Sequence, residues 1–121
     1  MSNAMPLEFT HRLYLEGTAT DCRVALAQTF MQRLRGLLGH RSLEPGQALW
    51  LARCGSIHTV GMRYPIDVVF LDRAGRVTKV CEAVPPGAAR GSLRAVSALE
   101  FRAREAMRLG IRPDMPLMWT R

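Results

Sequence analysis

Lysine is almost missing from this chain of 121 residues: Lys79 is its one representative among 17 basic side chains. Paired cysteine motifs are missing as well. Cys22, Cys54 and Cys81 are odd in number, widely spaced and form no Cys-x-x-Cys unit. That pattern argues against a disulfide framework or a zinc knuckle and fits small buried hydrophobes. Aromatic residues are only 7% of the chain, too few to interleave with basic groups as a base-stacking surface requires. No apolar run approaches the roughly 18 residues of a membrane-spanning helix, so no membrane span is expected. No basic-then-apolar leader opens the sequence either. Unpaired cysteines and the missing leader point to a reducing cytoplasm; a periplasmic or secreted location would need a signal peptide beyond this sequence. Glycine-rich phosphate cradles, serine elbows and paired catalytic carboxylates are also lacking, which weakens the enzyme classes built on them.

What is present describes a folded chain. Hydrophobic residues make up 48%, enough for a real core at this length without disulfides or metal. Met1-Ser2-Asn3-Ala4 reads as an expression scar (residues 1–4), leaving 5–121 as a single domain. The net charge of +7 raises the possibility of phosphate-rich partners. The arginines, however, are scattered singly from Arg12 to Arg121 with no dense basic run, which disfavours nucleic acid as the partner.

Periodicity predicts strands at 7–15, 22–27, 48–52, 66–71, 76–83, 95–101 and 117–120. Cys22, Val24 and Leu26 alternate with Arg23, Ala25 and Ala27 as in a half-buried strand. Residues 66–71 are apolar on both faces, as in a strand covered on both sides. Asp72-Arg73-Ala74-Gly75 is a hairpin signal, with glycine where a positive φ is wanted. The 84–91 stretch, with Pro85 and Pro86, reads as a loop. Thr29 and Gln32 form a capping box ahead of the stripe Phe30, Met31, Leu34, Leu37 and Leu38, predicting a helix that stops at Gly39. A second short helix is expected over 103–109, ended by Gly110. Strands dominate and no βαβ rhythm repeats. The expected fold class is mainly β (β-rich α+β), a single antiparallel β-sandwich or open barrel with one or two short helices.

The stretch from Cys54 to Asp72, CGSIHTVGMRYPIDVVFLD, gathers a cysteine, a histidine and two aspartates. Within the wider chain stand Ala27, Arg35-Gly36-Leu37-Leu38, Ser56-Ile57-His58-Thr59 with Gly61-Met62, Pro65-Ile66-Asp67 with Phe70, and Leu99-Glu100. In that order these motifs resemble the bacterial and archaeal family called domain of unknown function 192, over about Cys22 to Leu117. The resemblance implies a small, mainly β domain and no established activity. The pattern departs near its end. Relatives usually continue Leu-Glu-Leu-Pro-Ala-Gly and later show Gly-Asp, whereas this chain has Leu99-Glu100-Phe101-Arg102-Ala103-Arg104 and then Arg112-Pro113-Asp114-Met115.

Asp67 shares a strand face with Val69 and Leu71, so its carboxylate belongs at the edge of the core, where it must be hydrogen-bonded or paired. The favoured expectation is a structural acid that accepts amides of the 61–65 loop. Asp72 reads as a turn-starting residue. His58 suits a general base, a ligand or a satisfied imidazole. On a strand, Cys54 and His58 would share a face but lie more than about 10 Å apart. A zinc site would need further ligands from Asp67, Cys81 or His40 with no supporting spacing, so neither metal nor cofactor is expected. His58, Thr59, Met62, Arg63, Tyr64 and Asp67 together suit a small-molecule cleft. The leading functional expectation is a non-enzymatic domain that binds a small molecule or a protein partner through this loop. The alternatives are a hydrolase-like enzyme using His58 and Asp67 with Cys54, and a basic nucleic-acid accessory protein.

Overall fold

The computed structural model describes residues 7–27 and 43–121. The expected scar at 1–4 and the expected capped helix at 29–39 lie outside the described residues. Among the described residues nine strands run in chain order as β1 (His11–Leu15), β2 (Thr18–Ala27), β3 (Gln47–Leu51), β4 (Ser56–His58), β5 (Ile66–Leu71), β6 (Val77–Val84), β7 (Ala89–Gly91), β8 (Ser97–Arg102) and β9 (Leu117–Thr120). One short helix, α1 (Glu105–Leu109), separates β8 from β9. The mainly β expectation holds, and Gly110 closes α1 at φ 75° as its sequence position implies.

Seven strands form one sheet in the order β6-β5-β8-β3-β2-β1-β9. Its ladders are antiparallel except β2–β3, which runs parallel from Arg23↔Gln47 to Ala27↔Leu51. The sheet is therefore mixed, not wholly antiparallel. A parallel pair needs a crossover of a dozen or more residues, and 28–46 supply it. β4 and β7 form a second, two-stranded sheet in register Ser56↔Gly91 to His58↔Ala89. Part of the expected 84–91 loop is thus a strand; three residues are too few for alternation to announce one.

The large sheet curls without closing into a barrel. Its edge strands meet at the bridge Arg76↔Pro116, supported by Val77 N–H to the Met115 carbonyl and Leu117 N–H to the Gly75 carbonyl. Gly75 makes that approach possible. It stands at φ +83°, and a Cβ there would lie 2.9 Å from the Leu117 carbonyl oxygen.

All seven strands contribute to one apolar cluster: Leu13, Val24, Ala48, Val69, Val77, Leu99 and Leu117 are its members from β1, β2, β3, β5, β6, β8 and β9. That cluster therefore fills the inside of the curl. Ala106 and Ile111 join it from α1 and the turn after it. The opposite, outer face carries Ala25, Leu49, Val68, Phe70 and Ala98, covered by Ile57 of β4 and by Met62. β5 is buried at all six positions because both of its faces meet a core.

Candidate functional site

The 58–67 loop divides between surface and interior. β4 turns Ser56 and His58 outward and buries Ile57. Thr59 is fully buried. Its hydroxyl donates to the Pro85 carbonyl at 2.6 Å and accepts the Ala88 N–H at 2.9 Å, while its own N–H donates to the Ala88 carbonyl at 2.8 Å. Its carbonyl accepts the amides of Met62 and Gly87. Thr59 thus joins the 59–62 turn to the 85–88 turn, and Met62 is buried in the outer core. Arg63 is exposed and Tyr64 half-buried. Of the six expected ligand residues, His58, Arg63 and Tyr64 reach the surface; Thr59, Met62 and Asp67 are interior.

Asp67 has no solvent contact. Its Oδ1 accepts the Ala83 N–H at 2.8 Å and its Oδ2 the Ala106 N–H at 2.9 Å. The sequence placed its amide donors in the 61–65 loop; the structure places them in β6 and α1. Strand alternation explains the difference. Asp67 faces the inside of the curl with Val69 and Leu71, whereas Met62 and Tyr64 pack on the outer face. Ala83 itself stands at φ 49°, where β6 shifts register against β5 between Ile66 and Val68. Asp67 therefore pins an irregular stretch of β6 and the first turn of α1.

His58, Asp67 and Cys54 are not brought together. Both Asp67 oxygens are occupied by backbone amides, and the Cys54 thiol donates to the Ser56 carbonyl at 3.0 Å. Burial pushes the Cys22 thiol up to about 12, with Glu105 and Asp21 adding to the shift, and burial also raises Cys81, so neither is poised as a thiolate. Among the described residues no three His, Cys, Asp or Glu side chains are grouped to hold a metal ion.

Two features escaped the sequence reading. The first is Glu100, fully buried on the outer face opposite Leu49 and Val68. Burial pushes its carboxyl up to about 8, and its Oε2 has no hydrogen-bond partner among the described residues. Tyr64 is raised first by burial and then by the Glu100 charge nearby. Leu99-Glu100 was visible only as a family motif, because burial of an acid has no local signature.

The second is a groove of about 550 Å³ at the mouth of the curl, where β5 ends and β8 begins. Its walls come from Trp50, the 71–75 turn, Val96 and Ser97, and the 117–119 segment of β9. The Trp50 and Trp119 rings pack with centroids 5.4 Å apart and planes inclined by 54°. The Trp50 Nε1–H is buried and has no acceptor among the described residues. Arg53 and Arg73 also line the groove, as does Asp72. Asp72 spends its Oδ1 on the N–H groups of Ala74 and Arg76, both at 2.9 Å, and so shapes the hairpin. The groove assembles from segments far apart in sequence; the 72–75 turn was its one legible part.

Fold and site together define a small β domain: a curled sheet with α1 packed into its inner core and, among the described residues, a groove at the end where β5 finishes. The chain belongs to the domain of unknown function 192 family (DUF192, uncharacterized ACR), whose profile matches residues 12–119. The function of that family is not characterised. The structure is similar to a crystal structure from Sinorhizobium meliloti 1021 described as a candidate transcription regulator. The two share 24% identity with a TM-score of 0.79, over 95% of this chain and 98% of that one. It is also similar to a protein of unknown function from Novosphingobium aromaticivorans DSM 12444, at 21% identity and a TM-score of 0.74, over 89% of this chain and 84% of the other. At these identities the likeness is one of fold. No curated protein matches the chain.

Proposed function

We propose that this chain is a non-enzymatic binding module that holds a small molecule in the groove beside Trp50 and Trp119. The apolar groove that Trp50 and Trp119 line at the mouth of the curl carries this reading. The groove volume falls within the range of small-molecule sites, and its apolar walls with few polar groups suit the same use. The loop favoured by the sequence serves as a second contact face, for a protein partner. Thr59 holds the 58–63 segment on both sides, so the exposed His58 and Arg63 stand on a fixed frame. The buried thiols of Cys22 and Cys81 favour a reducing compartment, the cytoplasm.

Hydrolysis by His58, Asp67 and Cys54 gains no support, since Asp67 is committed to two amides. Nucleic-acid binding, suggested by the description of the S. meliloti protein, gains little. Arg102, Arg108 and Arg112 are tied to Glu44, Asp21 with Glu105, and Glu16.

Both tryptophans of the chain line the groove, so a ¹H–¹⁵N spectrum has two indole cross-peaks and each reports on it. Titration with 1-naphthol, 1-naphthamide and 1-naphthoate should shift the Trp50 indole proton saturably with at least one probe, with the peak assigned in Trp50→Phe. If all three leave both indole peaks in place at millimolar concentration, the groove is not a binding site.

A further inference from the structure

We propose that β9 is a docking edge, where an extended acidic segment of a partner protein adds to the sheet as a further strand beside Arg12 and Arg23. A small molecule in the groove is not required for it.

β9 ends the seven-strand order, with β1 on one side only. Its ladder with β1 runs without a break from Leu117 to Thr120. Leu117 turns its N–H away from β1, to the Gly75 carbonyl. Backbone direction alternates along a strand, so the Trp119 N–H and C=O also point away from β1. Among the described residues no hydrogen bond meets either group. Natural sheets guard such edges with charges, prolines or irregular pairing. β6, the other edge, carries Lys79 and Glu82 and shifts register twice against β5. Leu117–Thr120 has none of these guards, and Met118 is 51% exposed there.

Charge beside the edge selects the occupant. Leu13, Leu15, Cys22 and Leu117 point into the inner core, so Arg12, Tyr14, Arg23, Met118 and Thr120 share the outer face. Thr120, Arg12 and Arg23 form one rung leading in from the edge, and Met118 and Tyr14 lie on another. Arg12 and Arg23 are therefore like charges directly opposite each other, which destabilises a strand pair. Neither enters an ion pair among the described residues, since nearby Asp21 has both oxygens on Arg108. Arg12 gives one N–H to the Thr20 carbonyl, and Arg23 is exposed.

A glutamate opposite Thr120 on an added strand would lie two strand spacings, about 10 Å, from the Arg12 backbone. The two long side chains cover that span together, and the guanidinium fork suits a carboxylate. An apolar residue two places along would lie against Met118. A second copy of this chain fits badly, because a twofold contact sets Arg12 and Arg23 against themselves. Single-stranded nucleic acid is disfavoured too: Tyr14 is the one aromatic side chain that β1, β2 and β9 give to the outer face.

A ¹H–¹⁵N titration of the wild-type chain with acetyl-Val-Glu-Val-Glu-Val-Glu-amide tests this. The comparison probes are the same peptide with lysine for glutamate, the same peptide methylated at every backbone nitrogen, and an oligothymidylate. The acidic peptide should shift the Trp119 backbone amide saturably and slow its hydrogen exchange about tenfold. The lysine and methylated peptides should bind about tenfold more weakly. Arg23→Gln, an exposed substitution, should weaken the acidic peptide about threefold. Equal binding of the methylated peptide would mean that no strand is added, and equal binding of the lysine peptide would remove the acidic partner; either overturns the proposal. So does tighter binding of the oligothymidylate, or a Trp119 amide that stays in place at millimolar acidic peptide.

Discussion

Both oxygens of Asp67 are engaged, one by β6 and one by α1, in a place without water. Asp67→Asn keeps the shape but replaces one acceptor by an NH₂ group, which faces a backbone donor and leaves it unmet. Loss of a charge-assisted bond and stranding of a buried N–H together cost about 3 kcal/mol. Thermal unfolding should show a distinctly lower Tm, while His58→Ala, at an exposed position, should stay within about 0.5 kcal/mol of wild type. An Asp67→Asn protein as stable as wild type would remove the pin from the account. Glu100 is the opposite case, a fully buried acid whose Oε2 has no hydrogen-bond partner among the described residues. Its carboxyl is raised from the ordinary 4.5 to about 8 by burial. The folded chain therefore keeps a proton that the unfolded chain releases near 4.5. The stability tied to that proton is complete below about 4.5, declines as pH rises, and is lost once pH passes about 8. Urea unfolding at pH 5, 7 and 9 should show a decline on the order of a few kcal/mol, absent in Glu100→Gln. An equal pH slope in the two proteins would show that another group is responsible.

At the scale of elements, α1 has five residues, too few to stand alone. It is held by its surroundings: Asp67 takes the Ala106 N–H, Glu105 accepts the Gly46 N–H, and Arg108 bridges Glu105 and Asp21. Arg108 draws both carboxylates below their usual range. Its start is strained. Arg104 stands at φ 80° without a side-chain cap, at the place where the family pattern carries glycine. Arg104→Gly should therefore raise stability by up to about 1 kcal/mol, read as a higher midpoint in urea; a lower midpoint would mean that the arginine side chain contributes more than its backbone costs. These elements also show what the sequence made legible. The double burial of β5, the 72–75 hairpin and the end of α1 at Gly110 were readable, because each rests on neighbouring residues. β4 and β7 were not, since three residues display no period. Neither was the parallel pairing of β2 with β3, because a strand's partner is chosen across the chain. Asp67 divides the same way: its face followed from strand alternation, but its donors at Ala83 and Ala106 depend on distant packing. The groove was hidden for the same reason, its walls being brought together only by the curl.

In the molecule as a whole, ion pairs join distant segments at the surface: Arg102 to Glu44 at 3.6 Å, Arg112 to Glu16 at 3.5 Å, and Arg108 to Asp21 at 2.9 Å. Exposed pairs of this kind contribute little each and weaken with salt, so the cohesion of the fold rests on its two apolar faces. The sheet order gives that cohesion a schedule. β8 is the eighth strand along the chain, yet it lies between β3 and β5 and carries the ladders to both. During synthesis β1, β2 and β3 emerge first and the β5–β6 hairpin follows, with no ladder joining the two groups. Until Ser97–Arg102 leaves the ribosome, the β8-facing edges of β3 and β5 wait unpaired, open to another nascent chain. A late strand placed at the centre therefore ties completion of the sheet to the emergence of Ser97–Arg102, and makes the interval before it the chain's period of greatest exposure to aggregation.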